Sequence, residues 1–223
     1  MHSEKQRPPN LTIEEVFVKE RILLLATAVV LFSVGLFAGE IPFEKRPVAA
    51  IMPFCYHVEA YPEYEKSVSG IADALAVDLL KTNKVRLLER SRVDAVIKEI
   101  MLGQTGMIDS GKAAQVGRQL GAQQVILGSI VALSVREEGR SVKIAEKTTR
   151  WVEIEAEARL VDVETGELLA AGKAVGKAKS SEKHAFGGKI GELATPESLV
   201  QKALTGLGEK LAKDLAKGIR PIK

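Results

Sequence analysis

The stretch VEIEAEARLVDVETGELLAAGKAVGKA, residues 152–178, decides the fold. From Val152 to Leu160 apolar and charged side chains alternate strictly, as in a β-strand with one buried face and one solvated face. Residues 162–167 (DVETGE) have the composition of a hairpin turn, in which Gly166 suits a positive φ. The sequence therefore predicts a long antiparallel hairpin.

Charge pairing indicates the register of this hairpin. If the turn comprises residues 164–166, Glu153 faces Lys177 and Glu157 faces Lys173. A shift of one residue would lose both opposite-charge pairs. Each exposed pair contributes only about 0.2–1 kcal/mol, so the pairs support the register more than they stabilise the fold.

The segments around the hairpin predict an α/β (α+β) fold with a mixed sheet flanked by helices, in one domain over residues 45–217. Residues 48–55 and 84–88 are expected to be short strands, and residues 124–135 form an apolar central strand. Four amphipathic helices are expected, the first from Glu63 and the others after Ser91, after Asp109 or Ser110, and after Thr195. Their inward-facing residues are predicted to be Val68, Ile71, Ala72, Leu75, Leu79 and Leu80; Val93, Val96, Ile97, Ile100 and Met101; Ala113, Ala114, Val116 and Leu120; and Val200, Leu204, Leu207, Leu211 and Leu215.

Polar residues and glycine mark the predicted helix ends. Ser91 and Asp94 form an S-x-x-D capping pattern, and Thr195 precedes Pro196 as an N-cap. Gly121 suits the C′ position of the third helix.

The N-terminus carries a segment unlike the rest of the chain. Residues 22–38 (ILLLATAVVLFSVGLFA) form an uncharged apolar run after a basic flank. This pattern is typical of an export signal, and an uncleaved membrane anchor is the alternative. Residues 1–39 are therefore predicted to direct the following domain to the periplasm. Cys55 is the single cysteine, expected to be a buried thiol on a strand, so no internal disulfide is predicted.

Composition disfavours a nucleic-acid partner, and the sequence contains no recognisable site for a metal or a phosphate group. Aromatic residues make up 4% of the chain, which disfavours a base-stacking surface, and the formal charge of +3 is too small to indicate a nucleic-acid partner. No catalytic, cofactor-binding or metal-binding residues are predicted. The three histidines lie far apart in the sequence: His2, His57 and His184. Gly103 and Gly106 lack the length and ending of a phosphate loop.

Two charged clusters are interpreted as structural. Asp94 and Glu99 lie five positions apart on a helix and so face different directions. Arg90 and Arg92 lie where a strand meets a helix, where the predicted cap already uses the donors of the first turn. The lysines near the end of the last helix, Lys210, Lys213 and Lys217, are expected to offset its dipole.

Five short motifs carry a family resemblance. They are LLERS at 87–91, GMID at 106–109, LGA at 120–122, GSI at 128–130 and the DVETGE turn at 162–167. In this order they resemble the CsgG family of curli assembly and transport components, over residues 45–215. The resemblance implies a periplasmic α/β domain. Some members are outer-membrane lipoproteins that form a ring-shaped secretion pore, whereas related LpoB-type activators of penicillin-binding proteins are monomeric adaptors.

The chain departs from the pore-forming members in three places. No cysteine directly follows the apolar run to carry a lipid. Those members insert membrane hairpins at the positions of residues 136–150 and 178–195. Here the first segment has eight charged residues in fifteen, and the second lacks apolar alternation, so both are expected to be connections without membrane strands.

The resulting prediction is a non-enzymatic periplasmic adaptor or assembly factor without cofactors. Its expected partners are other cell-envelope proteins or further copies of itself, and membrane contact is expected only through residues 22–38 if they are not cleaved. A pore subunit that exports polypeptides is the first alternative. An enzyme with an unrecognised site is the second.

Overall fold

The computed structural model describes residues 41–100, 110–142, 145–185 and 188–222. The predicted export segment, His2, Met101 and the glycines at 103 and 106 lie outside the described residues. In the ranges that are described, no helix combines the length and the apolarity needed to cross a membrane.

Seven strands form one mixed sheet with helices on both faces, which confirms the predicted fold class. The strands are β1 (Val48–Ile51), β2 (Cys55–Tyr56), β3 (Arg86–Leu87), β4 (Gln124–Val142), β5 (Ala145–Asp162), β6 (Leu168–Ala185) and β7 (Gly188–Ile190). The helices are α1 (Glu65–Val68), α2 (Ile71–Lys81), α3 (Arg90–Ile100), α4 (Ser110–Leu120) and α5 (Pro196–Leu215). The strand order is β3-β1-β4-β5-β6-β7, and β2 also pairs with β4. The pairs β1–β3, β1–β4 and β2–β4 are parallel. The pairs β4–β5, β5–β6 and β6–β7 are antiparallel.

The hairpin β5–β6 has the predicted register. Glu153 lies opposite Lys177 and Glu157 opposite Lys173. Only the first pair is an ion pair, with Lys177 Nζ 3.1 Å from Glu153 Oε1. Lys173 instead pairs with Glu155, which lies two positions from Glu157 along β5, so the predicted pairing of Lys173 with Glu157 was wrong.

The hairpin turn is longer than expected. The Asp162 N–H donates to the Glu167 carbonyl at 2.9 Å, so the turn comprises residues 163–166 and the register shifts beside Leu160. Asp162 Oδ1 accepts from the N–H groups of Glu164 and Thr165, both at 2.9 Å, which holds the wider turn closed. Gly166 has a φ of +74°, as predicted.

Helices α2 and α5 pack on one face of the sheet, called here the helix face. The predicted inward residues of α5 and the even-numbered side chains of β5 from 152 to 160 are all buried there. Strand β6 meets α5 with only glycine and alanine, at positions 172, 174, 176 and 178. At Gly176 an added Cβ would overlap the Ala203 carbonyl oxygen of α5 and lie 3.0 Å from Leu207 Cβ. Because glycine has no Cβ, the backbone of β6 at this position packs directly against the backbone of α5.

Helices α3 and α4 cover only one end of the opposite face. They bury Val93, Val116 and Leu120 against Met52 and Val125. Helix α4 ends as predicted at Gly121, whose φ is +69°. The Ala122 N–H donates to the Gly117 carbonyl at 2.9 Å, which completes a Schellman motif.

Two predictions about helices were wrong. Helix α3 begins at Arg90, so Ser91 lies inside its first turn and is not the N-cap. The earlier start lets the Arg90 guanidinium lie 3.3 Å from Asp73 and 3.7 Å from Asp94, which joins α3 to α2. Leu80 is 51% exposed, because the inward stripe of α2 ends at Leu79. Thr195 does cap α5, accepting from the Ser198 N–H at 3.2 Å.

The largest correction concerns the two segments that were expected to be connections. Strands β4 and β5 remain paired out to Val142 and Ala145, and β6 continues to Ala185 before β7 returns along it. High charge density did not distinguish a strand from a loop here, because both faces of these strand ends are in solvent, where charged side chains are tolerated. We call residues 136–142, 145–151, 179–185 and 188–190 the ribbon.

The loop before α5 covers the base of the ribbon on the helix face. Ser180 Oγ donates to the Glu192 carbonyl at 2.8 Å and accepts from the Ala194 N–H at 3.0 Å. Arg150 donates to the Ala194 carbonyl at 2.5 Å and pairs with Glu137 at 2.6 Å. These bonds leave the opposite face of the ribbon as its open side.

Within the ribbon, Glu182 fastens β7 to β6. Its carboxylate lies 2.8 Å from Lys189 Nζ and 2.7 Å from His184 Nε2. Hydrogen bonds from Lys189, and next from His184, lower its pKa from 4.5 to about 2. A depressed carboxyl pKa stabilises the folded state above the unfolded pKa and ceases to do so as the pH falls through the folded pKa.

We therefore expect β7 to detach as the pH falls from about 4.5 to about 2. Hydrogen exchange at the Ile190 amide, which lies on β7, measures this opening. Glu182→Gln should open β7 already at neutral pH and remove the acid dependence, because the neutral amide no longer pairs with Lys189. Glu138→Gln, a matched change on β4 of the same ribbon, should leave exchange at Ile190 unaltered; an equal effect of both changes would contradict the assignment.

Candidate binding cleft on the open face of the sheet

A cleft lies where the cover of α3 and α4 ends. Its volume is about 730 Å³, within the range of ligand pockets. It opens on the face of β4, β5 and β6 opposite α5, and β2 forms one wall. The side chains that line it include Cys55, His57, Leu127, Ser129, Glu157, Leu168, Ala171 and Lys173.

The wall formed by β2 depends on a break in the first strand segment. Strand β1 ends at Ile51 and pairing with β4 resumes at Cys55, which lies opposite Ser129. Phe54 belongs to the core on the helix face, and an added Cβ at Gly128 would overlap its ring. Because side chains alternate along a strand, Cys55 then points into the cleft. It is half-buried there, so the prediction of a buried thiol was wrong.

Fixed polar groups line the floor of the cleft. Ser129 Oγ donates to Glu157 Oε1 at 3.2 Å. Lys173 pairs with Glu155, and the hydrogen bond that the lysine donates to this carboxylate raises the pKa of the lysine. Apolar contact area comes from Leu127 and from Leu168, which is 56% exposed. The cleft thus combines hydrogen-bonding groups with a small apolar wall, a composition suited to a peptide segment.

The cleft brings together a cysteine, a histidine and a carboxylate that the sequence did not connect. Cys55, His57 and Glu157 all line it. Among the described residues, however, no hydrogen bond joins the Cys55 thiol to His57, and Glu157 is bonded to Ser129. A nucleophile needs an adjacent base, so this arrangement lacks the contact that would activate the thiol. Across the described ranges no three metal-ligating side chains come together.

The other residues weighed from the sequence lie away from the cleft. His184 is bonded to Glu182 on the ribbon, and Asp94 pairs with Arg90. Lys210 was expected only to offset the dipole of α5. Its Nζ also donates to the Val175 carbonyl on the outer edge of β6 at 2.6 Å.

Part of the signal for the cleft was present in the sequence. Between Val152 and Leu160 the odd-numbered positions of β5 are Glu153, Glu155, Glu157 and Arg159, which already indicated an uncovered face. The parallel pairing of β2 with β4 could not be recognised, because it joins residues more than seventy positions apart and only two residues of β2 take part.

Comparison with protein families gives one match. The family described as "Curli production assembly/transport component CsgG" matches residues 45–220. Comparison with curated proteins gives no match.

Several solved structures are similar over much of the chain. A neuraminyllactose-binding hemagglutinin homologue of Helicobacter pylori shares 15% identity at a TM-score of 0.44, covering 82% of this chain and 89% of its own. A lipoprotein of Neisseria meningitidis shares 16% identity at 0.41, with coverages of 60% and 84%. The LpoB C-terminal domain of Escherichia coli shares 18% at 0.39, with coverages of 58% and 81%. At these values the similarities carry no argument about function.

Proposed function

Because the chain belongs to the CsgG family of curli production assembly/transport components, we propose that it is a non-enzymatic assembly factor of the cell envelope. Residues 45–217 form the binding domain, and residues 1–39 direct it to the periplasm or anchor it there. The domain acts as an adaptor that holds a segment of another envelope protein.

The cleft is the observation that carries this proposal. It is the place where the sheet lacks a helical cover while β2, β4, β5 and β6 still converge. Glu157 and Lys173 offer an acceptor and a donor to a peptide backbone, and Leu127 and Leu168 offer apolar contacts.

The alternative of a pore subunit has one observation in its favour. The ribbon lies at the two positions where pore-forming members carry membrane hairpins. Both faces of the ribbon are charged, however, with Arg140 and Lys147 on one face and Glu146 and Glu182 on the other. A strand that crosses a membrane needs one apolar face toward lipid over about 9–11 residues. These charges support the adaptor over the pore.

A photo-crosslinking amino acid at Ala171, which is exposed in the cleft, tests the adaptor function in cells that make the full chain. We expect one discrete crosslinked product with an envelope protein. The same amino acid at Lys202, exposed on α5 outside the cleft, should give none. Glu157→Lys should abolish the product, because it places a second cation beside Lys173. Equal crosslinking from both positions, or a product that persists with Glu157→Lys, would overturn the proposal.

A further inference from the structure

Three cations form a row across the open side of the ribbon. Arg140 lies directly opposite Lys147, and Lys147 directly opposite Lys183. Like charges in facing positions repel one another. Within the described ranges no ion pair joins any of the three to a carboxylate. The row therefore presents concentrated positive charge to whatever contacts this face.

Exposed apolar side chains share the face with these cations. Ile190 lies opposite Lys183 and is 65% exposed. Val142 follows Arg140 by two positions on the same strand, so it points the same way, and it is 67% exposed. Ala145 and Ala185 continue the row of Val142. The end of the ribbon thus combines a cationic row with an apolar row on one face.

The opposite face has a different character. Glu146 and His184 lie there between the two rows, and Glu182 and Glu137 follow toward the base. The loop before α5 covers that base through Ser180 and Arg150. The ribbon is therefore two-sided: its covered side holds Glu137, Glu146 and Glu182 beside the cations Arg150 and Lys189. On the open side Glu138 is the one carboxylate among the described residues, so that side is basic and apolar.

We propose that the open side of the ribbon docks on the surface of an anionic phospholipid bilayer. Arg140, Lys147 and Lys183 contact the phosphate groups, while Val142 and Ile190 reach the boundary between headgroups and acyl chains. The carboxylates of the covered side keep the ribbon on the surface instead of across the membrane. This contact is additional to the proposed binding of a protein segment in the cleft and independent of it.

An environment-sensitive fluorophore at Ala145→Cys, in a Cys55→Ser background of the full-length protein, tests the proposal. This position keeps Val142 and Ile190 intact and reports only on the end of the ribbon, whatever residues 22–38 do. With vesicles of phosphatidylcholine and phosphatidylglycerol in a two-to-one ratio, we expect a blue shift that is absent with pure phosphatidylcholine. R140Q/K147Q/K183Q should weaken the apparent docking equilibrium roughly 100-fold, since each basic residue near an anionic surface contributes about 1 kcal/mol.

The matched control is K98Q/K202Q/K213Q, which removes three exposed cations from α3 and α5. It should leave the shift unchanged. A fluorophore at Lys202→Cys should remain in water throughout. An equal shift with pure phosphatidylcholine would indicate uncharged insertion and overturn the proposal. A shift with polyglutamate but not with anionic vesicles would overturn it in favour of an acidic polypeptide partner.

Discussion

Gly176→Ala is expected to destabilise the protein by about 3 kcal/mol, although it adds a single methyl group. The new Cβ would overlap the Ala203 carbonyl oxygen and lie 3.0 Å from Leu207 Cβ. Ala203 and Leu207 belong to the buried face of α5, so the obstacle is helix backbone and cannot rotate away. Strand and helix must separate, and the packing of α5 along β6 would loosen with them.

Gly139→Ala provides the control for this prediction. Gly139 also lies in a strand, but an added Cβ there meets no atom within 4 Å. The change should be neutral or stabilise by up to about 1 kcal/mol, because alanine restricts the unfolded chain. Urea unfolding of the full-length protein in mild detergent, followed by the fluorescence of its single tryptophan, Trp151, measures both. Equal midpoints for the two variants would show that α5 does not contact β6 at Gly176.

Leu79→Ala is expected to cost about 2–5 kcal/mol, the range for a leucine removed from a close-packed core. Leu79 lies on α2 and is fully buried in the core of the helix face. Its neighbour Leu80 is 51% exposed, so Leu80→Ala should cost less than about 1 kcal/mol.

The two adjacent leucines make a stringent comparison, because the substitution and the helix are the same. The same unfolding measurement reports the difference between their free energies of unfolding. A larger cost at Leu80 would mean that α2 is rotated about its axis, with Leu80 facing the core instead of Leu79.

Local patterns predicted much of the fold. The alternation from Val152 to Leu160 and the two lysines at 173 and 177 defined the hairpin register, since a period of two and facing charges admit one alignment. The positive φ angles of Gly121 and Gly166 could also be predicted, because a glycine at a helix end or in a hairpin turn commonly adopts this conformation. These features depend on residues near one another in sequence, or on a hairpin that brings them together directly.

Features that depend on tertiary surroundings were less accessible. The strands of the ribbon carry charge on both faces, so residues 136–150 have no apolar pattern that separates a solvated strand from a loop. The cleft needs the parallel pairing of Cys55 with Ser129 and the end of the cover formed by α4. Neither is encoded in any single segment.

The bond from Lys210 to the Val175 carbonyl occupies an acceptor on the edge of β6 that β7 leaves unpaired. An outer strand normally offers its free carbonyls to any extended chain that arrives, and this is a route to uncontrolled stacking of sheets. Here an ammonium group from α5 already occupies one of those acceptors, and Lys173, Lys177 and Lys179 flank it along the same strand. An incoming strand would have to displace one cation and lie among three others. This arrangement protects the edge of β6 from pairing with an extended polypeptide, which the proposed binding of protein segments in the cleft would bring close to it.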